Sequence, residues 1–241
     1  MLDFRSSDSS SGSVTPEEAR SELDGMTVEI ELTLISIIQG VALTFLIEQA
    51  RELVSIDAAV HWPYVIAGLL VIFVFWSRSV LHIITVIRWP LEFGHNFLYI
   101  MCALIEAVLF SRVTNPSAWF ALGAVFGFAG WILFTYDLRL IRAREMDSAG
   151  PASNELIQIV KKDQWLNIAV LVPLVAVSSL LCFVCIRLWP GFFLNRQFHV
   201  VLAMTQLIGF VAYLIYVIRH FRRVAPFVAR ARAEWRSKLD A

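Results

Sequence analysis

The sequence predicts an all-α, polytopic membrane protein with six transmembrane helices. Three observations carry that expectation. Hydrophobic residues fill 58% of the 241 positions, against roughly 45–50% apolar usage in soluble domains. The mean hydropathy is +0.68. Apolar runs long enough to cross a ~30 Å hydrocarbon core recur along the chain.

Residues 1–27 read as a cytoplasmic N-terminal segment: a Ser-rich, disordered stretch over 1–14, then a short helix opened by Thr15, Pro16 and Glu18 in the pattern of a capping box. The helix is placed to run into span one, about 30–50, which holds "EIELTLISIIQGVALTFLIEQ". Span two, 62–88, begins at Trp62-Pro63, and span three, 90–111, is entered through Trp89-Pro90. Span four, 116–136, contains Gly123, Gly127 and Gly130 at the spacing of a helix-packing face. Span five, 165–189, carries Pro173 and Ser178-Ser179, which predict a local kink, and Cys182 and Cys185, which read as packing residues. Span six is 197–218, and residues 219–241 form a basic tail with Phe221, Val224, Val228 and Trp235 at helical spacing. Trp62, Trp89, Trp119, Trp165 and Trp189 lie near span ends, where interfacial anchors belong.

Charge orients the chain. Fifteen of the twenty Lys and Arg fall on the segments that share a side with the termini, four on the opposite loops, and Arg78 between them. The asymmetry predicts both termini in the cytoplasm and a multi-pass protein of the cell membrane, the bacterial inner membrane. A net charge of zero offers no field for nucleic acid. No nucleophile–base pairing, phosphate loop or paired-carboxylate site points to an enzyme, and no metal motif or cofactor is indicated.

Arg78 poses the main question, because a cation inside an apolar run costs ~2.5–3.5 kcal/mol on insertion scales. His82 lies one turn beyond it. Span three places Glu92, His95, Asn96, Tyr99, Cys102 and Glu106 within about a third of its circumference at 100° per residue. Such a stripe must face protein or water. The tight turn between spans two and three makes them antiparallel neighbours, so Arg78 is expected to meet Gln39, His82, Glu92, His95 and Asn96 in one polar cluster. Glu106 is expected to stand apart in the outer half. The cluster reads as helix-pairing polarity, an ion or proton pathway, or, through His82 and His95 at matched depth, the axial pair of a b-type haem. On span one, Ser36, Gly40 and Thr44 recur every fourth residue, an edge for close packing or for lining a pore.

Span one reads "QGVALTFLI", span two ends in "FVFWSRSVLHI" and span three opens with "LEFGHNFLYI". With six spans and both termini inside, this order resembles the short bacterial relatives of the endolysosomal potassium channel family, over about residues 30–112. Gly40-Val41 match the tail of that family's Phe-Ser-Asp-Gly-Val-type motif, with Gln39 at the aspartate position and Ile37-Ile38 at Phe-Ser. Trp76 matches a second-helix tryptophan, Arg78-Ser79 stand near an expected histidine, and Asn96 matches a third-helix asparagine. The resemblance implies a homo-oligomer, a tetramer, in the lipid bilayer, with first helices around a pore for a monovalent cation and an apolar constriction as gate. The expected lining is Ser36, Gly40, Leu43, Thr44 and Ile47, with Glu48 at the outer mouth. The rival expectation is a non-conducting scaffold or sensor subunit acting through the 137–164 linker and the basic tail.

Overall fold

The computed structural model describes residues 16–55, 58–87, 92–146 and 150–239. The disordered stretch, the Thr15 cap and the Arg88-Trp89-Pro90 turn expected from the sequence lie outside the described residues. Helix α1 spans Pro16–Ser55, α2 Trp62–Val86, α3 Phe93–Phe110 and α4 Pro116–Met146. Helix α5, Pro151–Leu166, continues through a π-helical turn, Asn167–Leu171, into α6, Val172–Leu188. Helix α7 is His199–Leu239. No strand occurs among the described residues. Six helical stretches are long and apolar enough to cross a membrane, with α5 and α6 counted as one. The chain is thus an all-helical, multi-pass membrane protein.

Packing, not water, must hold such helices together, because lipid tails are as apolar as Leu. Close approach therefore matters. A Cβ on Gly127 would stand 3.0 Å from the Ala176 Cα, so α4 and α6 meet backbone to backbone there. Gly123 faces Ser179, and Gly68 faces Leu46 and Phe110. The core of this half holds Tyr64, Phe110, Trp119 and Phe120, all fully buried. Trp119 is accordingly no interfacial anchor. Its indole N–H donates to Gln206 Oε1 at 2.9 Å, between α4 and α7. Trp62, Trp165 and Trp189 remain exposed.

Three helices run past their apolar lengths. Helix α4 extends ten residues beyond the predicted end at 136, α5 begins at Pro151, and α7 continues to Leu239 with Pro226 inside it. The predicted linker and tail are therefore helical extensions that pack on each other. Leu156, Ile157 and Val160 bury against Val224, with Phe227 and Val228 beside them. The tail's Val224 and Val228 face protein, and Phe221 alone of that trio stays exposed. Glu234 closes the hairpin by accepting the Ala152 backbone N–H at 3.0 Å, at the first turn of α5.

The π-helical turn has a local cause. In it the Val172 N–H reaches back five residues to the Asn167 carbonyl. The next donor in that register is Pro173, which has no N–H. The Ile168 carbonyl it leaves free accepts the Trp131 indole N–H at 3.1 Å. A helix that shifts register here turns Asp163, Gln164 and Asn167 into the bundle, where all three are buried.

Candidate functional site

Arg78 sits late in α2, among Phe134 of α4 and the end of α5. Its Nη1 donates to Asp163 Oδ2 at 2.6 Å, and its Nη2 to Gln164 Oε1 at 3.4 Å. The guanidinium carbon also lies 5.3 Å from the centre of the Phe134 ring. Gln164 is held in turn by the Phe134 carbonyl, which accepts from its Nε2 at 2.7 Å. Asp163 gathers more partners. The Tyr216 hydroxyl donates to Oδ1, Asn167 Nδ2 lies 3.3 Å from Oδ2, and His220 Nδ1 stands 3.6 Å from Oδ1. The Tyr213 hydroxyl donates to Asn167 Oδ1. Tyr213, Tyr216 and His220 follow one another at three and four residues, so one face of α7 delivers all three.

Beside this lies a second acid with two imidazoles. Asp137 of α4 meets His95 Nδ1 at 2.7 Å and His82 Nε2 at 3.7 Å, both through Oδ1. The His82 and His95 rings stack with centroids 5.0 Å apart. Gly94 leaves room for the tip of the Tyr136 phenol, the residue before Asp137, which a Cβ there would displace. A cavity of about 20 Å³ lies between the two acids, lined by Arg78, His82, Thr85, His95, Asp137 and Asp163 among others. It has room for about one water molecule. Stacked rings sharing a carboxylate beside so small a space do not fit a haem plane.

The remaining polar residues form a third group on α1 and α3. Asn96 Nδ2 donates to Glu31 Oε1 at 2.8 Å. Gln39 Nε2 donates to the Tyr99 hydroxyl at 3.1 Å and to Glu106 Oε2 at 3.2 Å. Tyr99 stacks on Phe75 of α2 at 4.8 Å.

The expected single cluster is therefore divided. Arg78 does face the bundle interior, but its acid is Asp163, not Glu92. Glu92 is half-buried at the N-cap of α3 and its side chain makes no cap hydrogen bond. His82 and His95 come together as expected, on an acid the sequence reading left out. Asn96 turns to Glu31, and Gln39 turns to Glu106, so Glu106 does not stand apart. Both corrections follow from depth. Gln39 lies two turns beyond Glu31 on the same buried face of α1, ~12 Å along the axis, level with the C-terminal half of α3. Gly123 and Gly127 pack on α6. Gly130 differs: a methyl placed there would have no atom within 4 Å, and the residue borders an apolar cavity of about 60 Å³.

On α1, Ser36, Gly40, Thr44, Ile47 and Glu48 are exposed on the protomer, and Leu43 is half-buried against the core. The Ser36 and Thr44 hydroxyls donate to the carbonyls of Leu32 and Gly40, one turn back.

Asp137 and Asp163 are the candidate-site residues the sequence reading missed. A signal for each exists. Gly123, Gly127, Gly130, Phe134 and Asp137 fall on one face of α4, and Leu156, Val160, Asp163 and Asn167 on one face of α5, so the buried stripes continue into the acids. Set against protein-family models, curated proteins and solved structures, the chain matches none of them.

Proposed function

We propose that the protein is a homo-oligomeric, channel-like protein of the bacterial inner membrane, with both termini cytoplasmic and α1 lining the symmetry axis. The observation that carries this reading is the outward half of α1. Thr33, Ser36, Gly40, Thr44 and Ile47 lie within about a quarter of its circumference and are exposed. No atom of the protomer comes within 4 Å of a methyl placed on Gly40, in contrast to Gly68, Gly123 and Gly127. Small and hydroxyl-bearing residues are the usual material of helix contacts in lipid, and here a second copy is the partner that fits.

Four such faces around an axis present rings of hydroxyl oxygens, each hydroxyl proton being engaged by its own helix and each lone pair left facing inward. These oxygens suit a monovalent cation such as potassium. Ile47 supplies the apolar ring that closes the path by dewetting, and Glu48 the acidic mouth. Leu43 belongs to the wall behind. The buried Arg78–Asp163 and His–Asp137 pairs hold each protomer's helices in register around this conduit.

Purified protein in liposomes tests the reading through cation flux. Ile47→Ser is expected to raise flux, and Gly40→Leu to abolish it together with assembly. Intact oligomers that pass no cation overturn it. The second reading is then favoured by the α5–α7 hairpin, where Arg219, Arg222, Arg223, Arg230 and Arg232 are exposed: a scaffold or sensor acting through that basic surface.

A further inference from the structure

We propose that His82, His95 and Asp137 bind a divalent transition-metal ion of the zinc class. Their ligand atoms all lie within 4.8 Å of one another. In a tetrahedral site with bonds of ~2.0–2.1 Å, neighbouring ligand atoms stand ~3.3 Å apart. The 2.7 Å and 3.7 Å separations from Asp137 Oδ1 bracket that spacing. Each ligand comes from a different helix, α2, α3 or α4, and the third edge, between the two imidazoles, lies within 4.8 Å, so the rings draw together by up to about 1.5 Å to complete the geometry.

Three further observations point to a ligand. His82, His95 and Asp137 are 7%, 1% and 5% exposed, and His82 Nε2 has no hydrogen-bond partner. A buried ring nitrogen without a partner is costly. The cavity of about 20 Å³ against all three residues has room for one water, the usual fourth ligand. Arg78 lines the same cavity with its Nε buried and lacking an acceptor, which a metal-bound water or hydroxide supplies.

Charge gives the third argument. Glu31, Asp137 and Asp163 are buried carboxylates in this half of the bundle, and Arg78 is the buried group of fixed positive charge beside them. With neutral imidazoles and all three carboxyls ionised, two negative charges are left over, in a medium that penalises each. One divalent cation cancels both. Two imidazoles with one carboxylate form a donor set for zinc, cobalt or iron rather than for magnesium or calcium, which take oxygen.

The full chain, purified in detergent, freed of any affinity tag and stripped with chelator, is titrated with cobalt(II) alone. The expected result is the visible absorption of tetrahedral cobalt at one equivalent per chain, displaced by zinc, with a rise in Tm. Asp137→Asn and His82→Asn are expected to weaken binding by more than ~100-fold, beyond the 10–100-fold that losing an outer partner costs. Because either variant can also loosen the fold, His82→Cys is the deciding substitution: a thiolate ligand adds a sulfur-to-cobalt charge-transfer band that no indirect role produces. His199→Gln, at the buried imidazole that meets the Tyr64 hydroxyl at 2.9 Å in the other half, is expected to keep the full equivalent. Absence of the cobalt absorption in folded wild-type protein overturns the proposal, since two protonated histidines then balance the acids. So does a His82→Cys protein that binds cobalt without the new band.

Discussion

Where α2 begins, the bundle is built from Tyr64, Phe110, Trp119 and Phe120, with Ala and Gly letting backbones close in. Where α2 ends, the interior is filled by Arg78, His82, His95, Asp137 and Asp163. The first region gains its cohesion from many contacts of ~0.1–0.2 kcal/mol each. The second gains it from a few hydrogen bonds between ions, each roughly twice as strong as a neutral one. The two regions fail differently. Loss of an apolar contact leaves a gap that neighbours partly refill. Loss of one ion strands its partner in a medium that cannot solvate it.

Breaking one ion pair probes the contrast most strongly. Asp163→Leu leaves Arg78 charged, buried and unpaired, and is expected to cost about 3–5 kcal/mol in equilibrium unfolding in detergent or mixed micelles. Arg78→Leu combined with Asp163→Leu removes the stranded charge and is expected to recover part of that loss, the Tyr216 hydroxyl being left without its acceptor. Equal destabilisation by the single and double variants would mean that the pair is not a unit. The apolar half responds less. Gly127→Ala drives a methyl against the Ala176 backbone and is expected to cost about 1–3 kcal/mol. Gly40→Ala, with open space around it, is expected to leave protomer stability unchanged or to raise it by up to ~1 kcal/mol. Another small effect sharpens the boundary between the halves. Trp131→Phe frees the Ile168 carbonyl and is expected to cost about 1 kcal/mol, read as a lowered Tm and faster amide exchange around the π-helical turn.

The apolar half and the crossings were legible because their signal is composition: six long hydrophobic runs admit few other folds. The polar stripe of α3 was legible for the same kind of reason, since His95, Asn96, Tyr99 and Glu106 interrupt an otherwise apolar run at helical spacing. Asp137 and Asp163 were not, because both fall in the charged linker outside the predicted spans. Asp137 follows Thr135-Tyr136, and Asp163 follows two lysines, inside a stretch, 154–164, that already reads as helical. What hid them is that the buried faces of α4 and α5 continue past the apolar lengths into that linker. The partners of Gln39 and Glu31 were missed for a different reason. They depend on how far α1 slides along α3, and no turn residue records that offset.

The carboxylate of Glu234 reaches the opening turn of α5, and α5 carries Asp163 twelve residues further on. Helix α7 meanwhile runs ~21 Å from His220 to that same glutamate. The last turns of the chain and the guanidinium deep in α2 are thus joined by one continuous run of contacts, with Pro226 as the weak point along α7. A domain fused at the carboxyl end, or truncation before Glu234, is expected to disturb the anchor of Arg78 from a distance.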